Sequence, residues 1–186
     1  MTPPLFELDT PRLRLRPFGT ADVPALHDLW TDTDVRRFLW DGEIIRLDRT
    51  AAVVAESERL FATERRGLWG AWTRAGGTLC GFAGLWTFRD PPELELLYGL
   101  GRAHWGQGFA TEIAAAIVEY AVEQLHMTEI RASTDAPNEA SVCVLERLGF
   151  TLERRAIVGG LDTLFFTLHR LTSSELGSRG SRASPL

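Results

Sequence analysis

Arginine and leucine alternate through Arg12-Leu13-Arg14-Leu15-Arg16-Pro17. A period of two predicts a half-buried strand, closed by the proline. The pattern then changes. Val23, Leu26, Leu29 and Trp30 recur at helical spacing within Asp22 to Trp30, which predicts a helix. Residues 33–47 mix Val35, Phe38, Leu39 and Trp40 with charges and show no clear period. Asp48 to Glu64 predicts a second helix with Val53, Val54, Leu60 and Phe61 inward and Gly67 as its stop. Strands over 68–74 and 78–88 follow, around the Gly76-Gly77 turn signal. Another is expected from Glu93 to Leu100, after Pro91-Pro92.

The clearest helix spans Phe109 to Leu125. Ala110, Ile113, Ala114, Ile117, Val118, Ala121, Val122 and Leu125 form one apolar stripe, with Glu112, Glu119 and Glu123 off it. Thr128 to Thr134 alternates and predicts a strand. Asn138 to Leu148 predicts a short helix, with Gly149 placed for a left-handed cap and Phe150 for packing back on Leu145. Strands are expected at 150–157 and 161–170. The order is strand, two helices, three strands, helix, strand, helix, two strands. That is an α/β or α+β sheet with helices on both sides.

A chain of 186 residues fits one domain. The domain is expected over residues 1–172, followed by a disordered Ser/Gly/Arg-rich tail at 173–186. No apolar run reaches the ~18 residues of a membrane span. The start of the chain lacks the basic and apolar regions of a secretory signal, which points to the cytoplasm. The net charge of −5 opposes direct nucleic-acid binding, which needs a basic footprint. All 20 basic residues are arginine, so there is neither a Schiff-base lysine nor a P-loop lysine. Arg12, Arg14 and Arg16 fit a phosphate patch or a solvated strand face.

Cys80 and Cys143 lack a C-x-x-C neighbour and read as small buried apolar residues. His27, His104, His126 and His169 show no ligand spacing, so no metal is expected.

The stretch Trp105-Gly106-Gln107-Gly108-Phe109-Ala110-Thr111 follows a strand and opens a helix. Glycines allow close backbone approach, and the first helix amides lack internal partners at the positive helix end. Together they suit a phosphate. A plain glycine-rich turn also fits this segment. A Walker loop is excluded without lysine. A dinucleotide loop wants a small residue where Thr111 stands, and it belongs in a leading βαβ unit.

Tyr98-Gly99-Leu100, then Trp105 through Glu112, resembles the acyl-CoA signature of the GNAT superfamily of N-acetyltransferases. Asn138-Glu139-Ala140-Ser141 and Leu145-Glu146-Arg147-Leu148-Gly149-Phe150 resemble the N-x-x-S…E-[KR]-x-G-F pattern of its ribosomal-protein N-terminal (RimJ/RimL-type) branch. The strong resemblance covers residues 93–150. It departs from the superfamily pattern at Trp105, where Gln or Arg is usual, and this removes a polar side chain from the phosphates.

The resemblance implies a single-domain GNAT-like fold, with a mixed, mostly antiparallel sheet of about seven strands and helices on both faces. It implies acetyl-CoA as co-substrate and no metal. The amides of Gly106, Gln107, Gly108, Phe109, Ala110 and Thr111 would cradle the pyrophosphate, joined by the Thr111 hydroxyl. The backbone from Tyr98 to Leu100 would hold the pantetheine arm, with Asn138 on its other side. Thr111 also fits a first-turn residue and Asn138 a helix cap.

Transfer requires a neutral amine to attack a thioester. Glu95 is the candidate base. Strand alternation places it with Glu93 and Leu97, opposite Leu94, Leu96 and Tyr98. A solvated carboxylate or an ion pair fits it as well. By the resemblance, Ser141 hydrogen-bonds the leaving sulfur; a first-turn serine is the other reading. Arg36, Arg37, Phe38, Trp40 and Asp41 are candidates for the acceptor wall or for surface packing.

The expected reaction is acetyl transfer to a primary amine, either a protein N-terminus or a small molecule. The alternative is a CoA-binding sensor without catalysis. No membrane partner is expected, and the assembly is a monomer or homodimer.

Overall fold

The computed structural model describes residues 6–88 and 92–170. The tail expected at 173–186 lies outside them. The elements run β1 (Leu8–Asp9), β2 (Leu13–Pro17), α1 (Val23–Thr31), α2 (Thr33–Arg36), α3 (Leu47–Glu64), β3 (Leu68–Thr73), β4 (Leu79–Phe88) and β5 (Glu93–Leu100). After them come α4 (Phe109–Glu123), β6 (Glu129–Asp135), α5 (Glu139–Arg147), β7 (Thr151–Val158) and β8 (Leu161–His169). Eight strands form one sheet in the order β1-β2-β3-β4-β5-β6-β8-β7. The expectation was about seven. The extra strand, β1, has two residues, too few to show a period.

Most neighbours are antiparallel, and β5–β6 is the parallel pair. Parallel neighbours need a long crossover, and α4 supplies it. Its stripe of Ile113, Ala114, Ile117 and Ala121 is fully buried. It packs with Leu13, Leu15, Ala71, Leu85 and Leu96 of the sheet. On the other face, α1 and α3 bury Leu26, Trp30, Val53 and Val54 with Leu68 and Phe82. Helices therefore cover both faces, as the element order predicts.

Two local expectations need correction. Gly67 does not stop α3; Arg65 does, in the left-handed region at φ 57. Gly67 is instead a close-approach site, where a Cβ would stand 2.6 Å from Ser57 Oγ. Cys143 is exposed, whereas Cys80 is fully buried. The Cys80 thiol donates to the Ala71 carbonyl at 3.2 Å, and burial pushes its pKa to about 11.

The caps of α5 match the reading. Asn138 Oδ1 accepts the Ser141 N–H at 3.3 Å. Gly149 has φ +87, and Phe150 N–H bonds the Leu145 carbonyl at 3.0 Å, a Schellman closure. No helix among the described residues is long and apolar enough to cross a membrane.

Candidate active site

The site begins where β5 and β6 part. β4 and β5 run together from Gly81↔Leu100 to Phe88↔Glu93. β5 and β6 share only Glu95↔Arg131. Past that point Leu96–Leu100 and Ala132–Asp135 diverge, opening a gap at the carboxyl ends of two parallel strands. Ligands of open α/β sheets enter at such ends.

Three structures rim the gap. The first is the loop after β5. Gly106 (φ +71) and Gly108 (φ +78) both need the left-handed region. A Cβ at Gly106 would meet nothing within 4 Å, so its glycine serves backbone conformation rather than space. The amides of Phe109, Ala110 and Thr111 precede the first helical bond of α4, from Glu112 N–H to Gly108 O at 3.1 Å. They lie at the positive end of a 15-residue helix. Such an end attracts an anion.

Trp105, 44% exposed, donates its indole N–H to the Leu100 carbonyl at 2.9 Å. The indole thus occupies one lone pair of a backbone group that the resemblance assigns to pantetheine. Arg102 lies over its ring at 5.0 Å.

The second rim is the N-terminus of α5, where Asn138 caps and Ser141 follows in the first turn. Tyr98 crosses the gap from β5. Its Oη lies 2.7 Å from Ser141 Oγ and donates to the Ser141 carbonyl at 3.1 Å. Burial pushes the phenol up to about 12, although the bond with Ser141 works in the opposite direction. The resemblance implies a role for the Tyr98 backbone alone. The side-chain contact was half visible, since alternation had placed Tyr98 opposite Glu95.

The third rim is the other face of the same strands. Glu95 is 3% exposed, and Ser133 Oγ donates to its Oε2 at 2.5 Å. Leu97 packs with the α1–α3 core, while Leu94, Leu96 and Tyr98 pack on the α4 side. Beside Glu95 is a cavity of about 30 Å³ lined by Glu93, Arg131, Glu153, Arg154 and Thr167, among others. Arg131 bridges Glu93 (3.2 Å) and Glu129 (2.7 Å).

The α1–α3 connection packs largely on itself. Arg36 donates to the Gly42 carbonyl at 2.6 Å, Arg37 lies over Phe38, and Trp40 meets Trp30 edge-on at 5.4 Å. The Asp41 side chain is outside the described set.

The arginines of β2 and its approach are all paired: Arg12 with Glu112, Arg14 with Asp9 and Arg16 with Asp22. A free phosphate patch is thereby replaced by a row of ion pairs.

A family model described as an acetyltransferase (GNAT) domain matches residues 12–151. The chain is similar to the uncharacterized N-acetyltransferase p20 of Bacillus licheniformis, 25% identical over 165 residues, spanning 78% of this chain and 83% of the relative. An acetyltransferase structure from Agrobacterium tumefaciens str. C58 superposes with a TM-score of 0.75 at 26% identity, over 91% of this chain and 98% of that one. RimL, a ribosomal L7/L12 alpha-N-protein acetyltransferase solved in complex with coenzyme A, superposes with a TM-score of 0.75 at 18% identity, over 88% and 98% of the two chains. At that identity the likeness is one of fold. The matched stretch runs from the ion-paired start of β2 through the parted strands to the α5 cap, and by that match the chain belongs to the GNAT family and is an acetyltransferase.

Proposed function

We propose that this protein transfers the acetyl group of acetyl-CoA directly to a primary amine, with a protein N-terminal α-amine as the preferred acceptor. The observation that carries the reading is the gap between β5 and β6. It has a helix-end anion site and Ser141 on one side and the buried Glu95 carboxylate on the other.

The loop amides from Gly106 to Thr111, with the Thr111 hydroxyl, hold the pyrophosphate. The backbone from Tyr98 to Leu100 and the Asn138 carboxamide hold the arm. Asn138 uses Oδ1 for the α5 cap, so its contribution is the Nδ2 donor. Glu95 takes the proton released by the amine, directly or through a water in the adjoining cavity, which has room for one. The nitrogen–carbon bond forms first, giving a tetrahedral oxyanion, and the carbon–sulfur bond breaks as that intermediate collapses. The Ser141 hydroxyl stabilises the departing thiolate, whose intrinsic pKa of ~8.5 demands little further help. A backbone N–H near the end of β5 faces the developing oxyanion.

Acceptor chemistry favours an α-amine. Its pKa of ~8 lies about 2.4 units below that of a lysine amine, so supplying the neutral form costs about 3 kcal/mol less. The N-x-x-S block at Asn138–Ser141 and the fold shared with RimL support the RimJ/RimL branch. A sensor without catalysis would have no use for a buried, hydrogen-bonded carboxylate at the gap.

The test is calorimetric titration with acetyl-CoA beside NAD, followed by an acetylation screen that starts with peptide N-termini. Acetyl-CoA binding without NAD binding is expected. Absence of heat and of thermal stabilisation with acetyl-CoA would reduce the loop to a turn, because a ligand at 100-fold over Kd adds ~2.7 kcal/mol.

A further inference from the structure

Glu112 poses an electrostatic problem for the phosphate reading. It lies in the first turn of α4, with its side chain 13% exposed. A carboxylate there favours the helix dipole but repels an anion bound at the same end. Burial raises the Glu112 carboxyl, yet hydrogen bonds from Thr10 and Arg12 outweigh it and hold the group below its ordinary range. The charge therefore persists at neutral pH.

Arg12 answers that charge. Its Nε donates to Glu112 Oε2 at 2.7 Å, its Nη2 lies 2.6 Å from the same oxygen, and its backbone N–H bonds Oε1 at 3.0 Å. Thr10 Oγ1 donates to Oε1 at 2.6 Å. The remaining arm of the fork, Nη1, donates to the Gln107 carbonyl at 2.8 Å. The guanidinium lies over the Phe109 ring at 4.4 Å, and Nη2 stands 3.6 Å from where a Cβ on Gly108 would be.

The Gln107 carbonyl and the Gly108 N–H belong to one planar trans peptide and point in opposite directions. Drawing that carbonyl towards Arg12 turns the Gly108 N–H the other way. We infer that Arg12 is a positioning residue of the phosphate site. It cancels the Glu112 charge and aims the Gly108 amide outward at the acyl carrier's pyrophosphate. The inference rests on the acetyl-CoA reading above and adds a segment that precedes β2 to its binding site.

Four proteins test it: wild type, Arg12→Ala, Glu112→Gln and the double variant, each titrated with acetyl-CoA at low and high salt. Arg12→Ala is expected to weaken Kd by about tenfold or more, with a smaller loss at high salt, because an uncompensated carboxylate then faces the phosphates. Adding Glu112→Gln recovers part of that loss, which a purely structural strap would not show. Glu112→Gln alone, the variant to rely on should Arg12→Ala not fold, binds at least as tightly as wild type. Unchanged binding in Arg12→Ala, no recovery in the double variant, or weaker binding in Glu112→Gln would each overturn the inference. Wild type that does not bind acetyl-CoA would instead sink the functional reading beneath it.

Discussion

Ser133 on β6 hydrogen-bonds Glu95 on β5 at 2.5 Å, just past the single register pair that joins the two strands. The bond anchors a buried carboxylate at the mouth of the gap. In its proposed role as general base, Glu95 is expected to contribute about 100-fold or more to turnover. Glu95→Gln keeps a group that can accept from Ser133, so the fold should survive. The expected outcome is that loss in kcat with acetyl-CoA affinity within about twofold of wild type. Ser133→Ala, which removes one hydrogen bond that positions the carboxylate, should cost about tenfold. Steady-state kinetics beside calorimetry check both. Full turnover in Glu95→Gln would remove it from the mechanism.

Tyr98 has one phenolic proton and two acceptors, both on Ser141. When the proton goes to Oγ, the serine's own hydrogen is released for the role proposed for it at the sulfur. Tyr98→Phe should therefore lower kcat in the same direction as Ser141→Ala. The two should not add, because both act through one hydroxyl. Independent, additive losses in the double variant would contradict that coupling.

The protein has two tyrosines, and burial raises both phenols, Tyr98 to about 12. An unfolded tyrosine ionises near pH 10. Because the folded values are raised, folding favours the neutral phenol. That contribution is complete below about pH 10 and is lost as pH rises through the folded values. Spectroscopic titration of the native protein should show less phenolate at pH 10 than the protein in denaturant, which is half ionised there, with Tyr98 still neutral. Coincident curves would mean that Tyr98 is solvated rather than buried in the folded protein.

Those contacts differ in how far the sequence exposed them. The period of 3.6 in α4 and the glycines before it are local patterns, so the helix and its loop were readable. Alternation along β5 separated Glu95 from Tyr98 for the same reason. The Arg12–Glu112 pair joins residues 100 apart, and no local rule connects them. Arg65 in the left-handed region was equally hidden. An arginine there costs about 1 kcal/mol and carries no sequence mark, whereas Gly67 two residues on carries a misleading one. Cys143 was misread because cysteine burial is a composition rule, and the first turns of α5 face solvent at that position.

The sheet's own geometry yields the last prediction. A Cβ on Gly84 of β4 would stand 2.1 Å from the Gly67 carbonyl oxygen and 2.9 Å from Leu68 Cδ2. That oxygen accepts the Leu85 N–H at 3.2 Å. Gly84→Ala must therefore push the start of β3 away and stretch a bond that pins it to β4. Backbone cannot rotate aside as a flexible side chain can. Overpacking of this kind costs about 1–3 kcal/mol, and the strained hydrogen bond adds about 1 more. Gly77→Ala is the matched control. Nothing stands within 4 Å of its Cβ, and its φ of +63 alone sets the cost at about 1–2 kcal/mol. Urea unfolding of the two variants should place Gly84→Ala well below Gly77→Ala, with equal m-values. Equal midpoints would mean that β3 and β4 do not approach this closely at Gly67, and that the floor of the α1–α3 core is looser than the packing of Leu68 implies.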